Sequence, residues 1–161
     1  MKSNQETYVW ALDLSLKCTG IAIFTNDGEC VETLSIETNP ENTTQKRLGK
    51  IGNDIIELKK KYSPIKAILE QGFSRFNTST QQLFRVHGVI NYLLMEVEQV
   101  YYPATKVKSI VGGKGNLKKD ALRDIIRQRY NTVEFHNLDE SDAFAIGMTY
   151  FLENKITGDV I

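Results

Sequence analysis

The stretch that most constrains this chain is Tyr8 to Thr25, YVWALDLSLKCTGIAIFT, in which a lone acid, Asp13, ends one apolar run and a second run, Ile21 to Phe24, follows a small polar turn. Two short runs of β-branched and aromatic residues around a turn predict paired strands. A carboxylate facing a sheet interior costs several kcal/mol unless it is paired, hydrogen-bonded or bound to a cation. Two readings of Asp13 follow. It caps the turn through its own backbone, or it belongs to a site that other parts of the chain complete.

Cys30 to Glu37 alternates as a third strand, with Asp27-Gly28 as the preceding turn. Asn39-Pro40 breaks the pattern. Leu48, Ile51, Ile55, Leu58 and Tyr62 then recur at helical spacing, with Asn42, Thr43 or Thr44 as cap and Lys59 to Lys61 at the C-terminal end, where the helix dipole favours them. A fourth strand, Ile65 to Leu69, ends in Glu70, repeating the pattern of the first.

The polar piece GFSRFNTST follows, with Phe73 and Phe76 around Arg75. Its aromatics are either pinned under the loop or displayed to stack on a base. Leu83, Val86, Ile90, Leu93, Leu94 and Val97 predict a long helix over Gln81 to Val100, and Tyr101 to Thr105 a further strand or extended segment. VGGKGNLKKD lacks the residue order of a Walker loop. It is expected to be a flexible turn before a helix with Leu117, Ala121, Leu122, Ile125, Ile126 and Tyr130 inward. Lysines and free amides at that helix start suit a DNA phosphate. Val133 to Phe135 leads through His136 to Asp139-Glu140-Ser141-Asp142, which opens a closing helix.

These elements predict an α/β fold, a mixed sheet flanked by helices, with the 161 residues as one domain (1–161). Two cysteines, Cys18 and Cys30, are too few for a secreted framework and have no metal-ligand spacing. Reduced thiols are expected, with a disulfide across the hairpin as the alternative. No signal-peptide pattern or bilayer-length apolar run is present, so a cytoplasmic protein without a membrane partner is expected. Net charge is zero, but unevenly spread. Lys106 to Arg129 holds eight basic residues and two acids, and Asn131 onward holds six acids and only Lys155. A cationic surface beside an acidic one suits a protein that binds both a polyanion and a metal ion, or equally a solvated helix face balanced elsewhere.

If the first and fourth strands are neighbours and the last helix packs against them, Asp13, Glu70, Asp139 and Asp142 converge without any His or Cys. Singly, each has an ordinary reading: a turn cap, an ion pair, acids favoured at a helix start. Together they form a hard oxygen set that selects Mg²⁺ or Mn²⁺ over Zn²⁺. Two such ions close together are the usual arrangement for in-line displacement at a phosphodiester.

The stretches ALDLSLKCTGIAIF, AILEQGFSRFNTSTQQLFRVHGVI, VKSIVGGKGNLKKDAL and LDESDAFAIGMTY, in this order and at these separations, resemble the RuvC-type Holliday junction resolvases of the ribonuclease H-like superfamily. The likeness is greatest to short bacteriophage members. The resemblance implies a five-stranded mixed sheet and a catalytic tetrad of Asp13, Glu70, Asp139 and Asp142 holding two Mg²⁺ ions, with Mn²⁺ as a substitute. It implies that Phe73 stacks at a junction centre and that Lys108 and Lys119 lie near the scissile strand. Arg75, Lys114 and Lys118 complete the expected DNA contacts. The implied activity is a structure-selective endonuclease that cuts four-way and other branched DNA by paired nicks. The two-fold symmetry of a four-way junction suits a homodimer, with the helix over Gln81 to Val100 as its candidate interface. Family members commonly carry Asp-Pro-Gly after the first strand, where this chain has Asp13-Leu14-Ser15, so its first turn is expected to differ. Other readings are a nuclease of this fold acting on structured RNA, a binding-only module, and an actin-like or sugar-kinase ATPase domain. The last needs two such domains. His87 and His136 receive no essential role and are expected in core or surface positions, with modulation of a bound water as the alternative for His136, which lies near the acids.

Overall fold

The computed structural model describes residues 6–72 and 77–156. Among these, five strands and five helices occur in the order β1 (Tyr8–Asp13), β2 (Cys18–Phe24), β3 (Cys30–Glu37), α1 (Thr44–Lys61), β4 (Pro64–Glu70), α2 (Asn77–Leu93), β5 (Glu98–Tyr102), α3 (Ala104–Gly112), α4 (Lys119–Arg129) and α5 (Leu138–Glu153). The sheet order is β3-β2-β1-β4-β5. The β1–β3 meander is antiparallel, and β1/β4 and β4/β5 are parallel. This is the expected mixed five-stranded sheet, with β1 and β4 adjacent at its centre.

Helices cover both faces, so the central strands bury side chains in both directions. Val9, Ala11, Ala22, Phe24, Ile68 and Tyr102 pack against α3, α4 and α5. Trp10, Leu12, Ile21, Ile23, Ala67 and Leu69 pack against α1 and α2. The period-2 alternation that sends Val9 and Ala11 toward α5 sends Asp13 the same way, and Ile68 does so for Glu70. The Trp10 indole is fully buried and donates to the Tyr62 carbonyl at 3.0 Å.

Two glycines set how closely α5 lies on the sheet. A Cβ on Gly147 would stand 2.2 Å from the Phe24 ring and 3.1 Å from the Ala11 Cβ. A Cβ on Gly20 would stand 1.9 Å from the Asp139 carbonyl oxygen. The helix is buried without interruption from Glu140 to Thr149.

The sequence reading needs four corrections. The helix expected over Gln81–Val100 ends at Leu93, and Glu98–Tyr102 is the edge strand β5. Val97 packs on the α1/α2 side as a helical residue would, and the helical spacing therefore ran past the true end. The segment Tyr101–Thr105 divides at Pro103, which starts α3. That helix lay hidden in the basic, glycine-containing approach to α4, because its nine residues contribute only Val107 and Val111 to the core. Ala121, expected inward on α4, is exposed, while Leu122, Ile126 and Tyr130 carry the buried stripe.

Cys18 and Cys30 are free. Cys18 pairs with Glu37, and Cys30 pairs with Phe24, which puts the two thiols about 20 Å apart along the sheet at the usual strand rise. The hairpin disulfide is thereby excluded. Among the described residues no helix is long and apolar enough to cross a membrane.

Gly147→Ala should destabilise the protein although alanine is the better helix former. Phe24 is fully buried and has nowhere to move, so overpacking of about 1–3 kcal/mol outweighs a propensity gain of about 1 kcal/mol. A urea midpoint equal to or above wild type would contradict this.

Candidate active site

The site lies where β1 and β4 end side by side. Leu12 pairs with Leu69 in parallel register, so the next residues, Asp13 and Glu70, emerge together on the α5 side. Across the other edge of β1, Asp13 pairs with Gly20. The missing side chain there admits the start of α5. Asn137 caps that helix, its Oδ1 accepting from the Glu140 N–H at 2.9 Å. Asp139 and Asp142 therefore sit in the opening turns, where the helix dipole favours negative charge.

The fifth participant is a cation. Lys119 opens α4 and places its Nζ 2.5 Å from Asp142 Oδ2 and 3.7 Å from Asp13 Oδ2. Burial pushes the Asp13 carboxyl up to about 8, with Asp142, Glu70 and Asp139 adding to the rise and Lys119 opposing it. Glu70 and Asp142 are likewise raised, by burial first; Asp142 adds to the rise at Glu70 and Asp139 to that at Asp142, while Lys119 and Lys108 oppose both. Burial works against the Lys119 ammonium, but Asp13 and Asp142 outweigh it and its pKa rises. Carboxylates crowded out of water and repelling one another have a strong demand for positive charge.

Among the described residues no three carboxylates, histidines or cysteines already stand as the ligand set of one ion. The groups are separate carboxylates around an ammonium. An all-oxygen set with this charge deficit suits Mg²⁺ or Mn²⁺ and lacks the soft ligands zinc prefers.

The turn between Asp13 and Cys18, which carries Leu14-Ser15, is fixed by packing and side-chain hydrogen bonds. Leu14 and Leu16 are buried in the α1/α2 core. The Ser15 hydroxyl donates to the Cys18 carbonyl at 2.6 Å and accepts from the Cys18 N–H at 2.9 Å. Arg47 of α1 donates to the Leu16 carbonyl at 3.3 Å and to the Thr38 hydroxyl at 2.8 Å. The turn is anchored into the core at two points.

Of the expected DNA contacts, Lys108 and Lys119 lie within electrostatic reach of the acids, while Lys114 and Lys118 are exposed on the α3–α4 connection. Phe73 and Arg75 lie outside the described residues. His87 is buried between Phe84 and Tyr101, and burial lowers its pKa. The His136 side chain is 81% exposed, and its Nδ1 lies 3.1 Å from Glu140. Neither histidine contacts the four acids. Sequence reasoning missed Gly20, and also Cys18, whose thiol is pushed up to about 12 by burial and by its hydrogen bond to Asp139. A glycine inside a strand is the signal that marked a close backbone approach.

The model of the family described as "Crossover junction endodeoxyribonuclease RuvC" matches residues 9–150. The chain belongs to the RuvC family. RuvC of Brachyspira hyodysenteriae is 32% identical over 136 residues, covering 81% of this chain and 82% of that one. RuvC of Ehrlichia chaffeensis is 26% identical over 152 residues, covering 91% and 97%. In three dimensions the chain superposes on Thermus thermophilus RuvC in complex with a Holliday junction substrate with a TM-score of 0.81, at 20% identity over 93% of this chain and 96% of that one. Fowlpox virus Holliday junction resolvase shares the fold more distantly, with a TM-score of 0.54 at 13% identity over 92% and 99%. The ribonuclease H-like architecture and the RuvC family stand as expected from the sequence.

The raised Asp13 pKa fixes a sign. Between about 4 and about 8 the folded state binds more protons than the unfolded state, so metal-free stability falls as pH rises through that window. Asp13→Asn should remove the part of this fall that Asp13 contributes, leaving that of Glu70 and Asp142, and stabilise the metal-free protein at pH 8 by up to a few kcal/mol, on the order expected from linkage. Urea titrations in EDTA at pH 5 and pH 8 check it. A variant no more stable than wild type at pH 8 contradicts it.

Proposed function

We propose that this RuvC-family endodeoxyribonuclease resolves four-way DNA junctions by paired nicks in symmetric strands, and that Asp13, Glu70, Asp139 and Asp142 are its catalytic and metal-holding residues. The observation that carries the reading is the convergence of acids from three elements, β1, β4 and α5: Asp13 and Asp142 share the Lys119 ammonium, and Glu70 and Asp139 lie within its electrostatic reach. Acids held this way have no evident value for stability, since burial and mutual repulsion raise three of their pKa values. They suit two Mg²⁺ ions, which Mn²⁺ can replace. Such ions supply an activated water and stabilisation of the leaving oxygen at the phosphodiester.

The chain's own groups do the rest. The four carboxylates hold the positive charge at the open end of β1 and β4. Lys119 and Lys108 offset the acids and bring a backbone phosphate toward them, and Lys114 and Lys118 continue the cationic surface along the strand. Phe73 and Arg75 follow Glu70 closely in the chain and are proposed to meet the unpaired bases at a junction centre. Two free thiols fit a reducing compartment, here the cytoplasm.

A four-way junction is two-fold symmetric, and a homodimer offers one site to each of two opposed strands. The α2 surface supports this assembly. Phe84 is 54% exposed and Tyr92 is 71% exposed on one helical stripe, and Met95 just beyond the helix is 69% exposed. Gly88 lies between the two aromatics, and a Cβ there would meet nothing within 4 Å. A stripe of exposed aromatics around a glycine gap fits a second copy of the same helix.

Asp13→Asn and Glu70→Gln should each lower cleavage of a mobile four-way junction by at least about 100-fold, the scale of losing one group that stabilises the transition state, without weakening junction binding. Retained cleavage in either variant removes that residue from the metal site. For the assembly, Tyr92→Asp should shift sedimentation from dimer to monomer and convert paired nicks to single ones. A Tyr92→Asp protein that remains dimeric moves the interface elsewhere.

A further inference from the structure

Three residues at one level of the meander, one on each strand, underlie the start of α5. Ser35 of β3 pairs with Gly20 of β2, and Gly20 pairs with Asp13 of β1. The helix start crosses this row. Asn137 reaches Ser35, its Nδ2 donating to the Ser35 hydroxyl at 2.9 Å. The Asp139 carbonyl sits over Gly20. Asp142 meets Asp13 through their shared Lys119.

Gly20 decides how close the helix comes, but an absent side chain gives no lateral hold. The hold comes from the ends of the row. At the inner end the groups are themselves the charged site. At the outer end it is Ser35, half-buried and uncharged, beside the Cys18 thiol that also reaches Asp139. Asn137 links the two functions in one side chain: its Oδ1 caps the helix through the Glu140 N–H and its Nδ2 anchors the cap to β3. Glu140, only 2% exposed, adds a second tie, accepting from the His136 N–H at 2.9 Å with the Thr33 hydroxyl of β3 3.5 Å away.

We propose that Ser35, acting through Asn137, is a positioning residue that sets where Asp139 and Asp142 stand relative to Asp13, and so sets the metal affinity of the site. This rests on the reading of the acids as metal-holding groups. Hydrogen bonds that orient ligands and lie outside the ligand set itself commonly cost tenfold or more in metal affinity when lost. A free cap can shift toward β1 or away from it, changing the distance between acids on α5 and acids on the sheet while the hydrophobic face of α5 keeps its packing.

The test is calorimetric titration of DNA-free protein with Mn²⁺ alone, for wild type, Ser35→Ala, Ser35→Thr and Asp139→Asn, with urea stability and four-way-junction binding in EDTA measured alongside. Ser35→Ala should bind Mn²⁺ about tenfold more weakly with junction affinity unchanged, and Ser35→Thr, which keeps the hydroxyl, should restore metal binding. A general loss of fold would lower the urea midpoint and junction binding together, and Ser35→Thr separates that effect from loss of the hydroxyl. If Asp139→Asn weakens Mn²⁺ binding and Ser35→Ala does not, the positioning role is wrong and the acid site stands. If Asp139→Asn binds Mn²⁺ like wild type, the reading of the acids falls and this proposal falls with it. Failure of Ser35→Thr to recover what Ser35→Ala loses also overturns it.

Discussion

The architecture depends on how closely one helix can approach the sheet. α5 lies across β2 and β1, buried along ten consecutive residues from Glu140 to Thr149, and its approach is set by glycines on both sides of the contact, Gly20 on the sheet and Gly147 on the helix. At Gly147 the contact is apolar, with Phe24 and Ala11. At Gly20 it is backbone against backbone, beneath Asp139. One helix therefore has a stabilising end and, at the proposed site, a chemical end, and rigid packing along the first fixes the position of the second. Residues held by secondary structure keep tighter geometry than residues on loops.

The chemical end is unfavourable in isolation. Asp13, Glu70 and Asp142 are raised mainly by loss of water and further by one another, and the nearest compensation is the Lys119 ammonium. A fold under selection for stability alone would replace such a group with apolar residues. The site instead concentrates negative potential at the ends of the two central strands, within reach of the basic approach to α4. That juxtaposition explains how a chain of zero net charge engages both a polyanion and cations: the signs are separated in space and meet at Lys119.

Much of this was legible in the sequence because the site acids follow strand periodicity. Asp13 and Glu70 each end an apolar run, and alternation alone assigns both to the same face once β1 and β4 are neighbours. The Asp139/Asp142 spacing reads as a helix start for the same local reason. What the sequence left hidden is mostly non-local. The resemblance marks Lys119 as a DNA contact, but its pairing with Asp142 and Asp13 emerges only once α4 is placed against α5, and Ser35 and Cys18 acquire meaning only through the β2/β3 register. The end of α2 and the existence of α3 were missed for another reason. Val97 and Val100 each pack against the core from irregular or strand positions, so their spacing imitates a helix where the chain has already turned to form β5.

The two faces of the sheet divide the labour. α3, α4 and α5 cover the face toward which Asp13 and Glu70 point, and α1 and α2 cover the other. The exposed stripe of Phe84 and Tyr92 belongs to α2, so a contact made through it leaves the acids uncovered. The turn after Asp13 joins the two faces: its acid is on the α5 side, while Leu14 and Leu16 are driven into the α1/α2 core and Arg47 of α1 holds the Leu16 carbonyl. A Pro-Gly turn has its shape set locally by restricted backbone angles; this chain fixes its corner by core packing. The turn that follows Asp13 is thereby tied to the layer that carries the α2 stripe.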